Sequence, residues 1–101
     1  MRSFEPGDIA EATDFYASID DATAKAVLDF LIDHPEQRFD GAAVMRQLGL
    51  GQHREVAQAT SYLGNLAKAV GRRRPWNEGQ LGYQMSAAEA ALLRQAREHV
   101  A

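Results

Sequence analysis

The residues of this chain best suited to chemistry lie between Gln52 and Arg74, and the chemistry they suit is recognition of a polyanion. Arg54, Gln58, Ser61, Asn65, Lys68 and Arg72 recur at a spacing that a 3.6-residue helix carries along one face. Val56, Ala59, Leu63, Leu66 and Val70 fall on the opposite face. The polar face holds cations, amides and a hydroxyl and no carboxylate, a choice that goes beyond what amphipathicity requires. It runs directly into Arg72-Arg73-Arg74. A guanidinium makes paired hydrogen bonds to phosphate oxygens or to a guanine edge, and a carboxamide does the same for adenine. Arg54 and Gln58 therefore suit base edges, with Gln52, His53, Ser61 and Asn65 in support. Lys68 and Arg72, further along, suit phosphates.

Other chemistries find little material. Ser3, Ser18, Ser61 and Ser86 show no G-x-S-x-G elbow, and Ser18 and Ser86 read as helix caps. Gly49-Leu50-Gly51 begins like a dinucleotide fingerprint, but Arg54 stands where the third glycine belongs. His34, His53 and His99 lie far from the i, i+4 spacing of helical metal sites, and there is no cysteine to supply a thiolate. Neither an enzyme nor a cofactor nor a metal is expected.

The net charge of −3 is unevenly laid out. Residues 1–37 hold nine acids against two bases, a net of −7. Residues 38–85 hold seven bases against three acids, a net of +4. Such asymmetry points to a nucleic-acid face. A length of 101 residues suits one domain with a modest core, and 46% hydrophobic with 25% charged is ordinary globular composition. No apolar run approaches the ~20 residues that span a bilayer, and Met1 to Pro6 lacks a signal-peptide core. A cytoplasmic protein without membrane partners is expected.

The elements that must position these residues follow from punctuation and period. Residues 1–17 read as an acidic N-terminal arm that packs on the domain or on a second subunit, with a short helix over Asp8–Tyr16. A helix begins near Ser18, with Ser18-Ile19-Asp20-Asp21 resembling a capping box, and stops at His34-Pro35. Gln37-Arg38-Phe39 is extended. Asp40 caps a helix over Gly41–Leu48 that Gly49 ends. The next helix runs from about Gln52 to Val70 and ends at Gly71. Leu81, Tyr83 and Met85 then alternate with Gly82 and Gln84, a strand signal, and Asn77-Glu78-Gly79-Gln80 supplies the turn of a hairpin. Trp76 anchors that hairpin to the core, Tyr83 packs with it, and Tyr62 packs at the flank of the buried face of the helix before it. Ser86 caps a last helix over Ala87–Val100, with Ala90, Leu93, Ala96 and Val100 on one side.

This order of helix, short strand, helix, turn, helix, hairpin and helix is mainly α (α+β), a winged helix-turn-helix with a C-terminal helix after the wing, over residues 18–101. From Asp20 to Val100 the chain resembles the winged-helix superfamily of bacterial regulators. Leu31-Ile32-Asp33-His34-Pro35, Pro75-Trp76 and Tyr83-x-Met85 are similar to a family of small uncharacterised bacterial winged-helix-like domains. The resemblance implies a double-stranded DNA-binding regulator of transcription whose helix 52–70 reads the major groove. Its DNA contacts would be Gln52, His53, Arg54, Gln58, Ser61, Asn65, Lys68, Arg72, Arg73 and Arg74. Of the three consecutive arginines, one is expected to meet the acidic first half of the domain. The arm and the alanine-rich last helix look like spare elements, so a homodimer is expected. Winged-helix DNA binders usually carry a base at the wing tip, where this chain places Glu78. That departure motivates an alternative, a protein–protein interaction module on the same scaffold.

Overall fold

The computed structural model describes residues 1–101. Its elements are α1 (Ile9–Ala17), α2 (Ala22–Asp33), β1 (Arg38–Phe39), α3 (Gly41–Leu48), α4 (His53–Ala69), β2 (Asn77–Gly79), β3 (Gly82–Gln84) and α5 (Ala87–Val100). Three helices start where a side chain supplies an acceptor for an orphan amide. Asp21 accepts from Ala24 N, Asp40 from Ala43 N, and Ser86 from Glu89 N, with Glu89 reaching back to Ser86 N. The start of α2 is therefore Asp21 and not Ser18. Ser18 keeps helical backbone angles and closes α1, its hydroxyl donating to the Phe15 carbonyl at 2.8 Å. Asp21 has the extended backbone that an N-cap needs. At the other end of the next pair, Gly49 takes the left-handed conformation (φ 67°) that ends α3.

These amphipathic helices share one core. α4 contributes Val56, Ala59, Thr60, Leu63 and Ala67, and α5 contributes Ala90, Leu92, Leu93 and Ala96. Phe15, Leu28, Leu31, Ile32 and Met85 fill the centre. Leu66 and Val70 pack half-buried at its margin, while Val100 emerges into solvent. Residues 1–17 pack on the domain, the first of the two placements expected for the arm. Phe4, Ala12, Phe15 and Tyr16 are all buried in the same cluster, and α1 packs chiefly on α5. Arg97 of α5 joins Asp29 and Asp33 of α2, and the Tyr16 hydroxyl donates to Asp29 at 2.8 Å. Burial and that carboxylate push the Tyr16 phenol well above its ordinary range.

The strands form an antiparallel sheet in the order β1-β3-β2, with Phe39 opposite Tyr83 and Glu78 opposite Tyr83 on the other side. Helix pair, sheet order and hairpin together make the α+β arrangement of a winged helix-turn-helix. The hairpin is shifted from the sequence expectation. Asn77, Glu78 and Gly79 are strand, and the two-residue loop is Gln80-Leu81, because Gly79 pairs with Gly82. Gly82 has φ 111°, and a Cβ there would run into the Phe39 backbone, so only glycine lets β3 pass so close to β1.

The N-terminus is bolted to the segment that leaves α4. Arg2 and Arg72 form an isolated parallel bridge, and Arg73 N donates to the Arg2 carbonyl at 2.8 Å. Arg72 then grips Asp8 with Nε at 2.9 Å and Nη2 at 3.0 Å, a two-pronged pair whose side chains are only 11% and 12% exposed. The Glu5 amide donates to the same carboxylate. The Arg72 hydrogen bonds, helped by that amide, hold the Asp8 carboxyl down from 3.8 to about 2.

Two predictions follow from this packing. Gly82→Ala is expected to cost about 2–3 kcal/mol and to lower the melting temperature by roughly 10 °C or more. Gly51→Ala, which meets open space, should change stability by less than about 0.5 kcal/mol; equal melting temperatures for the two variants would contradict the close approach. Asp8→Asn should destabilise the protein at neutral pH. A depressed carboxylate contributes fully above its unfolded value and loses that contribution as pH falls through its folded value, here from about 4 to about 2. Acid titrations of melting temperature should show the wild-type and variant curves converging over that window. A constant gap would rule out the carboxylate charge as the source.

Candidate functional site

The outer face of α4 stays clear of the core because its inner face is fully used. Gln52, His53, Arg54, Gln58, Ser61, Asn65 and Lys68 are all exposed. Gln52 is the N-cap residue by backbone only, and its side chain makes no capping bond. Neither Arg54 nor Lys68 enters any of the ion pairs, which run from Arg2, Arg72, Arg74 and Arg97. From Arg54 to Lys68 the row spans roughly 21 Å of helix axis.

The two flanks of this row differ. On the side facing α2, Gln58 borders a shallow cleft of about 250 Å³ shared with Asp21, Glu55 and Tyr62. The helix is thus carboxylate-free only along its centre and its other flank, and Gln58 sits at the border. The Tyr62 hydroxyl accepts from Asp20 N at 2.8 Å, tying α4 to the start of α2. On the other flank, Ser61, Gly64, Asn65 and Lys68 face Arg73 and Arg74 across a cleft of about 350 Å³. No Asp or Glu lines it.

The three consecutive arginines divide their work. Arg72 touches the rim of this cleft but is held by Asp8, so it is the arginine that meets the acidic N-terminal half. Its guanidinium also lies 3.9 Å from Glu11, and the Asp8 hydrogen bonds raise its pKa further. The expected phosphate role for Arg72 is corrected accordingly: its fork is already filled by a carboxylate. Arg73 is exposed and donates one Nη2 bond to the Ser3 hydroxyl at 2.8 Å. Arg74 is exposed but pairs with Glu78 at 3.2 Å.

Glu78 does not stand at the wing tip. Its Oε1 accepts from Arg74 and from the buried Trp76 indole at 3.0 Å, which draws it back along β2. The tip presents Gln80 and Leu81, the latter 68% exposed. Trp76 itself is core, as its size and position suggested. The arm and last helix, read as spare, pack chiefly on each other.

Gly64 is the residue that sequence reasoning passed over. A glycine inside a helix costs roughly 0.5–1 kcal/mol relative to alanine, and no group beyond its own stretch of helix lies within 4 Å of where its Cβ would be. Tight packing therefore does not require it, and the unfilled space is the cleft. An unexplained glycine in a helical pattern was the available signal. No group of three His, Asp or Glu side chains stands close enough to hold a metal ion, and no helix is long and apolar enough to cross a membrane.

Comparison with curated proteins and with solved structures returns no match. A family model does match, and it spans residues 9–100, from the first residue of α1 to the last of α5. The boundary agrees with the packing, since it takes α1 into the same unit as the helix-turn-helix and the wing. On that match the chain belongs to a family of unknown function, DUF6416.

Proposed function

We propose that this protein is a cytoplasmic double-stranded DNA-binding protein, a transcriptional regulator that lays α4 in a major groove. The observation that carries the reading is the row of exposed Arg54, Ser61, Asn65 and Lys68, unpaired by any carboxylate, on a helix whose other face is locked in the core. Arg54, near the N-terminal end of α4, would meet a guanine edge, and Gln58 an adenine edge. Lys68, about four turns further on, would meet phosphate. Arg73 adds a second cation beside it. The base-edge contacts would carry sequence preference and the cations would carry affinity.

The alternative, a protein-interaction module, drew its motive from a negatively charged wing tip. With Glu78 drawn back to Arg74 and Trp76, that motive falls away, and only the net charge of −3 still favours it.

The test is binding to selected and mixed duplex DNA at several salt concentrations. Arg54→Ala should cost a selected site about 1–3 kcal/mol while leaving mixed sequence nearly unchanged. Lys68→Ala should weaken all sequences alike and reduce the salt slope by about 1. Absence of binding at low salt, or an affinity indifferent to salt, would eliminate the reading.

A further inference from the structure

The geometry points to a phosphate-binding site in the cleft between the C-terminal half of α4 and the Arg73–Arg74 segment, a site that stands whether or not α4 enters a groove. The cleft holds about 350 Å³ and is lined by Ser61, Gly64, Asn65, Lys68, Arg73 and Arg74, together with Met1, Thr60 and the rim of Arg72. Its chemistry is one-sided. Lys68 carries no carboxylate partner, Arg73 spends one nitrogen on Ser3, and Ser61 and Asn65 add a hydroxyl and an amide. Met1 is the single apolar residue in the lining, so the side chains that could select a ring or an acyl chain are few. A tetrahedral oxyanion, by contrast, is satisfied by donors from several directions, a flexible ammonium and a guanidinium fork among them.

Gly64 supplies the second observation. It accepts the helix penalty of glycine in the middle of α4, yet no group beyond its own stretch of helix comes within 4 Å of its missing Cβ. Gly64 lines the cleft, so a side chain there would take up part of its space. Open floor at that point lets a bound group approach the helix backbone closely, which is a use glycine commonly has beside ligands. The opposite wall is equally fixed. Arg73 N is held by the Arg2 carbonyl and Arg72 by Asp8, so the segment that presents Arg73 is anchored at two points.

The ligand chemistry is a phosphate oxyanion, whose source is either the phosphodiester backbone of a nucleic acid or a free phosphorylated small molecule. Amide NMR titrations of the full chain with inorganic pyrophosphate, and separately with a mixed-sequence duplex, distinguish them. Movement of the Gly64, Asn65, Lys68 and Arg73 amides with either probe is the expected result. Lys68→Gln, Arg73→Gln and Gly64→Leu should each weaken that probe by roughly three- to tenfold. Lys25→Gln on α2, outside the cleft, should not. Gly64→Leu should keep or raise the melting temperature, because leucine favours a helix over glycine, so its loss of binding reports the blocked space. A duplex that moves the cleft amides identifies the backbone as the source. Pyrophosphate acting alone identifies a free phosphorylated ligand, and the DNA reading then fails while this site stands. If the duplex binds with Arg54 sensitivity while neither probe moves the cleft amides, the cleft proposal falls and the DNA reading survives. Amides unmoved by both probes overturn the cleft proposal.

Discussion

The arrangement of the basic surface depends on the pair between Asp8 and Arg72. Two charge-assisted bonds join residues 64 positions apart, and both side chains are almost stripped of water. The pair works together with the backbone contacts of Arg2 to Arg72 and Arg73, so the first residues of the chain and the exit from α4 become one rigid edge. That edge decides where Arg73 and Arg74 point. Without it, the segment between Gly71 and Pro75 would have little to hold it, since it lies outside any helix or named strand. One arginine of three is given up to fix the other two.

The helix α4 meets two demands that compete for the same seventeen residues. Its inner face must fill the space against α2 and α3, and it does so with small and medium side chains that bring the helices close. The outer face is then left with residues that no intramolecular partner needs. Charge decides how open that face is. Acids concentrated in residues 1–37 place Asp21 beside one flank, where together with Glu55 of α4 it borders Gln58. The other flank turns toward the arginines. The helix therefore presents a graded surface, neutral to acidic on the α2 side and cationic on the side of the cleft.

The wing is held from both of its edges. Trp76 and Met85 are buried at its base, and Glu78 satisfies the indole and Arg74 together. On the β1 side, Glu36 adopts a left-handed backbone (φ 66°) that costs a non-glycine residue about 1 kcal/mol or more. Three bonds hold it there: its amide to the Met85 carbonyl, its carbonyl to the Gln84 side chain, and its carboxylate to the Ala87 amide at 2.6 Å. This one residue thus joins the end of α2, the last strand and the first turn of α5.

Much of this was legible in the residue pattern, because helix period, caps and breakers act locally. The spans of α3 and α5, the αL stop at Gly49, the inner face of α4 and the core role of Trp76 all follow from neighbours a few positions apart. Ser18 misled because a hydroxyl followed by acids looks the same whether it opens one helix or closes another; only the backbone angle separates the two. The hairpin register was misplaced because Asn77-Glu78-Gly79-Gln80 has turn composition throughout, and the choice among registers rests on how Gly82 passes the Phe39 backbone. Local pattern could list Arg72, Arg73 and Arg74 but not rank them, since each is the same side chain in the same run. Their ranking came from the partners the fold supplied: Asp8, far off in the chain, took Arg72, Glu78, four residues on, took Arg74, and Arg73 was left facing Lys68 across a cleft. Composition and period thus determined the elements and their polarity. The tertiary fold alone decided which charges remain unspent, because ion pairing depends on distance in space and not along the chain.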